Sequence, residues 1–163
     1  MKKSAALLMY RRGAGGQVQV LLAHPGGPFF RNKDDGAWTL PKGEYDPPER
    51  ALDAARREFA EETGFAAAPP FITLGEVVQK GGKRIEAWAF SGECEPATLR
   101  SNSFEIEWPP RSGRRQSYPE IDRVDWYGME EARRKVNPAQ RELLDRLEAW
   151  LAAPVSASAP RRA

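Results

Sequence analysis

The chain has 163 residues, 40% of them hydrophobic and 29% charged, with a formal net charge of +2. That length is most simply one domain, and the composition is ordinary for a globular fold in water. The small net charge makes no case for a nucleic-acid partner, the single cysteine (Cys94) excludes an intrachain disulfide, and no stretch is apolar enough to span a membrane.

The opening MKKSAALLMYRR carries an apolar run too short for a secretory signal, so the chain is expected in the cytoplasm. Residues 4–12 and 17–24 read as two strands around Gly13-Ala14-Gly15-Gly16. The second, QVQVLLAH, turns from alternating to continuously apolar, as a strand buried on both faces does. A polar loop runs from Phe29 to Gly36. Then come the short apolar piece Trp38-Thr39-Leu40 and the turn Pro41-Lys42-Gly43.

Asp46-Pro47-Pro48-Glu49 resembles a capping box and predicts a helix over 49–63, starting near Pro47. Leu52, Ala55 and Phe59 form its buried stripe, Ala51 and Ala54 lie beside its carboxylates, and Gly64 stops it. Residues 71–79 and 84–92 read as a hairpin around Gly81-Gly82-Lys83. A short strand is expected around Phe104–Trp108, followed by a basic loop with Arg111, Arg114 and Arg115.

Residues 123–127 read as the last strand and Met129–Val136 as a short helix. Asn137-Pro138 then opens a helix over 138–152 with Leu143, Leu144, Leu147 and Leu151 as its stripe. The Ala/Ser/Pro/Arg tail over 153–163 is expected to be disordered. What remains, 1–152, is a single domain: a mixed sheet covered by helices on both faces.

Chemistry concentrates in the first helix. Glu58, Glu61 and Glu62 are spaced three and four apart, which puts them near one helix face. Like charges that close need a neutraliser, and a hard divalent cation with oxygen ligands is the natural one. Such a cation, shared with substrate phosphates, suits hydrolysis of a phosphoanhydride, with a further carboxylate taking the proton of the attacking water. A solvated acidic face balanced by Arg50, Arg56 and Arg57 is the plain alternative.

The whole pattern decides between them. Gly43, Glu49, Arg57, Glu58, Glu61, Glu62 and Gly64 fit Gly-x5-Glu-x7-Arg-Glu-U-x-Glu-Glu-x-Gly-U, with U apolar, at every defined position. A chance match is on the order of one in a million. The stretch resembles the Nudix box, and Trp38, Pro41-Lys42-Gly43, Val124-x-Trp126 and Glu131-Ala132 resemble the surroundings of the box in that family.

The resemblance implies an α/β/α sandwich with a mixed β-sheet, of the Nudix type. It also implies hydrolysis of a nucleoside diphosphate linked to another group, with Mg2+ or Mn2+ as cofactor. Glu58, Glu61 and Glu62 match the metal-binding and catalytic glutamates, and the Lys42 carbonyl matches a further metal ligand. Arg57 and Glu49 match a buried pair that orients the helix. Pro48 departs from the glycine common there. The general base differs among members; outside the box the candidates are Glu105 and Glu107, two apart and so on one strand face, followed by Glu120.

For the substrate, Lys42, Lys80, Lys83, Arg84 and Arg100 are available to phosphates, and Trp38, Phe29, Phe30 and Trp88 to a base. WTLPKGEYDPPE resembles both dinucleoside polyphosphate hydrolases and the nucleotide-sanitising type. Yet no Tyr lies between Tyr45 and Tyr118, where the former often carry one. A dinucleoside polyphosphate or a nucleoside triphosphate is the expected substrate, acted on by a monomer or homodimer. An RNA 5′-end hydrolase and a non-catalytic nucleotide sensor are the alternatives. His24 and Cys94 receive no chemical role.

Overall fold

The computed structural model describes residues 2–153. The expected tail, from residue 154 on, lies outside the described residues. In chain order the elements are β1 (Lys3–Arg12), β2 (Val18–Pro25), β3 (Lys42–Glu44), α1 (Ala51–Thr63), β4 (Ile72–Val78) and β5 (Arg84–Ser91). They continue with β6 (Ser103–Glu107), β7 (Arg115–Pro119), β8 (Ile121–Gly128), α2 (Met129–Lys135) and α3 (Arg141–Ala152).

The main sheet runs β4-β5-β1-β2-β8, with β3 added to β1. β1 and β5 are parallel and the other pairs antiparallel, so the sheet is mixed. β1 and β2 are the apolar runs the sequence marked, and each feeds two cores because its side chains alternate. Ala6, Leu8, Val20 and Leu22 pack beneath Leu143, Leu144 and Leu147 of α3. Ala5, Leu7, Met9 and Leu21 face Ala54, Ala55 and Phe59 of α1. Helices on both faces of one sheet make the expected α/β/α sandwich. Among the described residues no helix is long and apolar enough to cross a membrane.

Three elements differ from the sequence reading. The first helix begins at Ala51, not near Pro47, and has no side-chain cap. Glu49 cannot close a capping box because both its oxygens bind Arg57, at 2.8 and 2.9 Å. The expected basic loop is half strand: β7 pairs with β6 as a two-stranded ribbon, Glu107 opposite Arg115. Asn137 does cap, its Oδ1 accepting the Ala139 N–H at 2.9 Å, but a 3-10 turn over Pro138–Gln140 precedes α3. Ala54, one turn before Glu58, is fully buried.

One detail of the sheet positions everything that follows. The second half of β1 pairs with β2, whereas its first half pairs with β3, Ser4 opposite Glu44 and Ala6 opposite Lys42. The turn that leads into α1 is thereby stitched to the start of the central strand.

Candidate active site

The site forms where α1 lies against β3. Glu58 reaches over Gly43, and a Cβ on Gly43 would sit 2.0 Å from the Glu58 carboxyl carbon. Only glycine leaves room for that carboxylate. One turn on, Glu62 Oε1 accepts the backbone N–H of Lys42 at 3.2 Å. Lys42, Gly43, Glu58 and Glu62 therefore line one cleft of about 370 Å3, joined by Glu44, Lys83, Ser4, Asn102 and Glu120.

Glu120 reaches the cleft through a relay of backbone bonds that begins at the end of α1. Gly64 ends the helix with φ 77°, its N–H bonded to Ala60 O. A methyl there would meet Arg100 Cβ at 2.9 Å. The closeness lets the N–H groups of Arg100 and Asn102 bond the Thr63 and Glu61 carbonyls, each at 2.9 Å. Asn102 O then accepts the Glu120 N–H at 2.8 Å, and Glu120 O accepts the Gly26 N–H at 2.9 Å. The C-terminal end of the acidic segment and the end of β2 thus fix the outside carboxylate.

The cleft brings crowded carboxylates together with two lysines. Burial pushes the Glu62 carboxyl up to about 8, with Glu58 and Glu120 adding to the rise against the Lys42 N–H bond. Burial also raises Glu58, against the pull of Arg57 and with Glu61 and Glu120 adding to it. Burial, then the charge of Lys83, pulls the Lys42 ammonium below its usual range, against the opposite pull of Glu62, Glu44 and Glu58.

Arg57 serves three carboxylates. It forks onto Glu49 and donates Nη1 to Glu58 at 2.8 Å and to Glu61 at 3.1 Å. Its pKa is raised, chiefly by Glu49. The Arg57–Glu49 pair is partly exposed, at 38% and 30% of the side chains, rather than buried. Among the described residues no three His, Cys, Asp or Glu side chains stand together as a ready ion-holding group. Glu58 and Glu61 would have to yield Arg57 to reach a cation. The donor chemistry nonetheless suits one, because Glu58, Glu62 and Glu120 offer hard oxygens whose mutual repulsion a divalent ion would relieve.

Several expected residues lie elsewhere. Glu105 and Glu107 do share a face of β6, but neither lines the cleft. Glu105 is 62% exposed and pairs with Arg115, and Glu107 accepts the N–H groups of Arg111 and Gly113 in the ribbon turn. Trp38 is 2% exposed, its Nε1 bonded to Asp34 and its ring edge-on to His24 and Tyr127, so it offers no face to a base. Trp88 is likewise core. Arg84 pairs with Glu76 at 2.7 Å outside the cleft. Lys83 lines it, bonded to Glu44 at 3.0 Å. His24 is fully buried between Asp122 and the Lys33 carbonyl, a structural residue as expected.

A second cavity, about 310 Å3, meets the first at Lys42, Glu62 and Glu120. Phe30, Thr39, Gln79, Asn137 and Gln140 line it. The buried Gln140 organises it: its Oε1 accepts the Leu40 N–H, and its Nε2 donates to Gln79 Oε1 and Thr39 Oγ1. Nothing in the sequence marks Ser4, Asn102, Gln79 and Gln140, whose positions depend on strand register and on contacts between residues distant in the chain.

Known proteins resemble this chain in family and fold. The Nudix domain family matches residues 1–147. The RNA pyrophosphohydrolase of Erythrobacter litoralis is 43% identical over 65 residues, a match that spans 37% of either chain. A solved Ap4A hydrolase of C. elegans superposes with a TM-score of 0.64 at 21% identity, covering 91% of this chain and 98% of that one. The Nudix domain of Shewanella oneidensis NrtR, solved with ADP ribose, gives 0.63 at 16% identity, with 92% and 88% covered. These two likenesses bear on the fold alone. With the family matched over nearly its whole length and the box folded around one cleft, this chain belongs to the Nudix family.

Proposed function

We propose that the chain is a divalent-metal-dependent pyrophosphohydrolase that cleaves a phosphoanhydride in a nucleoside or dinucleoside polyphosphate. The observation that carries the reading is the cleft in which Glu58, Glu62 and Glu120 face Lys42 and Lys83, opening onto the cavity of Phe30, Gln79 and Asn137. The carboxylates suit a cation, the lysines phosphate oxygens, and the adjoining cavity a nucleoside.

In this reading Glu58, Glu61 and Glu62 hold Mg2+ or Mn2+, with the Lys42 carbonyl as a further candidate. Bound there, such an ion would neutralise phosphate charge and make phosphorus more open to attack. Glu120 accepts the proton of the attacking water as its oxygen bonds phosphorus and the anhydride P–O bond breaks. Lys42 and Lys83 orient the phosphates. Arg57 positions Glu58 and Glu61 through the bonds described and does not touch the reacting atoms.

A panel of dinucleoside polyphosphates, nucleoside triphosphates and ADP-ribose with Mg2+, products separated by chromatography, tests the reading. It expects metal-dependent turnover of the polyphosphates, and no turnover of any member would overturn it. An RNA 5′ end is the second substrate to include. Arg111, Arg114 and Arg115 stand exposed on the ribbon that leads into Glu120, and the relative from Erythrobacter litoralis is named for that activity. Cleavage of triphosphorylated RNA in preference to free nucleotides, weakening steeply with salt, would favour it.

A further inference from the structure

The cleft has a neighbour on its other side as well. A third cavity, of about 550 Å3, lies between the start of β1 and the loop from β3 to α1, lined by Lys3, Tyr45, Asp46, Pro47 and Ala51. It meets the cleft at Glu44 and shares no lining residue with the cavity of Phe30 and Gln79, which meets the cleft at Lys42, Glu62 and Glu120. β3 therefore runs from one cavity to the other, Lys42 at the first and Glu44 at the second, about 7 Å apart along an extended chain. Lys83 and Lys2 neutralise Glu44, at 3.0 and 3.9 Å, so a chain of phosphates can pass it. The third cavity itself has the chemistry of a nucleoside pocket. Tyr45 is half-buried at its wall, packed against the core under α1 but with no other ring or cation on it among the described residues. Pro47 adds an exposed apolar face. The Asp46 carboxylate beside them has neither ion pair nor hydrogen bond among the described residues. An open aromatic ring next to a free carboxylate matches a base joined to a ribose diol, and the volume lies in the range of small-molecule pockets.

We propose that this cavity is a second nucleoside subsite, in which Tyr45 stacks the base and Asp46 accepts the ribose hydroxyls. The three cavities in line then hold a nucleoside, a phosphate chain and a nucleoside. The inference rests on the hydrolytic reading of the cleft and narrows its substrate to dinucleoside polyphosphates. A nucleoside triphosphate fills the cavity of Phe30 and the cleft but leaves the Tyr45 cavity open. Two nucleosides joined by a diphosphate are too close together to occupy both ends of β3. A longer phosphate bridge reaches both and gains the Tyr45 face.

Titration calorimetry of the full chain with Mg2+ and two analogues that carry methylene groups in place of the anhydride oxygens is the test. One is a dinucleoside tetraphosphate, the other a nucleoside triphosphate. Wild type should bind the dinucleoside about tenfold more tightly, the scale of stacking one base on an aromatic ring. Tyr45→Leu, which keeps apolar bulk against the core, should bring the ratio of the two affinities near one, and Tyr45→Trp should keep it. Asp46→Ala, at an exposed position, should lower the ratio severalfold by removing a charged hydrogen-bond acceptor. Equal affinities for the two analogues in wild type, or a preference that survives Tyr45→Leu, overturns the subsite. A wild type that prefers the dinucleoside analogue but hydrolyses no dinucleoside tetraphosphate overturns the hydrolytic reading and leaves the subsite standing.

Discussion

Replacing Gly43 by alanine places a methyl 2.0 Å from the Glu58 carboxyl carbon and 2.1 and 2.5 Å from its oxygens. Unbonded heavy atoms settle about 3.5–4 Å apart, so the carboxylate must retreat by roughly 1.5 Å or more. Two responses are open. Glu58 can swing away, which also strains its 2.8 Å bond to Arg57. Or α1 can lift from β3, which loosens the 3.2 Å bond from the Lys42 N–H to Glu62. Either moves a cleft carboxylate by more than the ~1 Å that costs about a hundredfold in rate. The φ of Gly43 is not positive, so alanine fits its backbone, and the stability cost should stay within the ~1–3 kcal/mol of overpacking. The assay pairs steady-state hydrolysis under saturating Mg2+ with thermal unfolding. We expect kcat down about a hundredfold with the fold intact. In a Glu58→Ala background the Gly43→Ala change should cost little more, since the clash is gone. Full activity in Gly43→Ala, or an undiminished effect in the double variant, would refute the reasoning.

Three further outcomes follow from the same geometry. Glu62 keeps its proton in the metal-free folded protein up to about pH 8 but loses it near 4.5 when unfolded, so metal-free stability should fall as pH rises from about 4.5 to about 8, by at most about 1.4 kcal/mol per pH unit. Mg2+ should remove that slope in urea unfolding, with proton release on binding below pH 8; a flat metal-free profile would contradict the burial argument. Gly64→Ala should cost about 1–3 kcal/mol, from its φ of 77° and the contact with Arg100, and should lower activity through Glu120 as well. Glu120→Gln should lose at least about a hundredfold in kcat, whereas Glu105→Gln and Glu107→Gln should keep near-wild-type rates in the same assay, because their side chains serve the β6–β7 ribbon.

How much of this was legible beforehand follows from the range of the interactions. β1 and β2 were plain because continuous apolar runs encode burial locally, and α3 because its leucines recur at helical spacing. The mixed sheet with helices on both faces follows from the order of the elements, and the Nudix resemblance implies the same sandwich. The box carboxylates were legible for the same reason: Glu58, Glu61 and Glu62 share a face by helix geometry alone. Among the carboxylates outside the box, the sequence ranks Glu120 behind Glu105 and Glu107. Strand alternation put the latter two on one face but could not say which way it looked, and Glu120 owes its place to bonds with Asn102 and Gly26. Trp38 read as a candidate stacking surface because an aromatic before the box is visible, whereas its packing against His24 and Tyr127 is not. Ser4 carries no signal in sequence. Its place in the cleft comes from register with Glu44, a product of the folded sheet.

The central claim is that the box glutamates and the lysines across from them form one hydrolytic site. Glu62→Gln tests it most directly, because the amide keeps the size and the bond to the Lys42 N–H while removing the charge. Hydrolysis of a nucleoside polyphosphate should be Mg2+-dependent in wild type, abolished by chelator, and nearly lost in Glu62→Gln with the melting temperature retained. A Glu62→Gln protein that turns over at the wild-type rate, or a wild-type rate indifferent to chelation, would contradict the account.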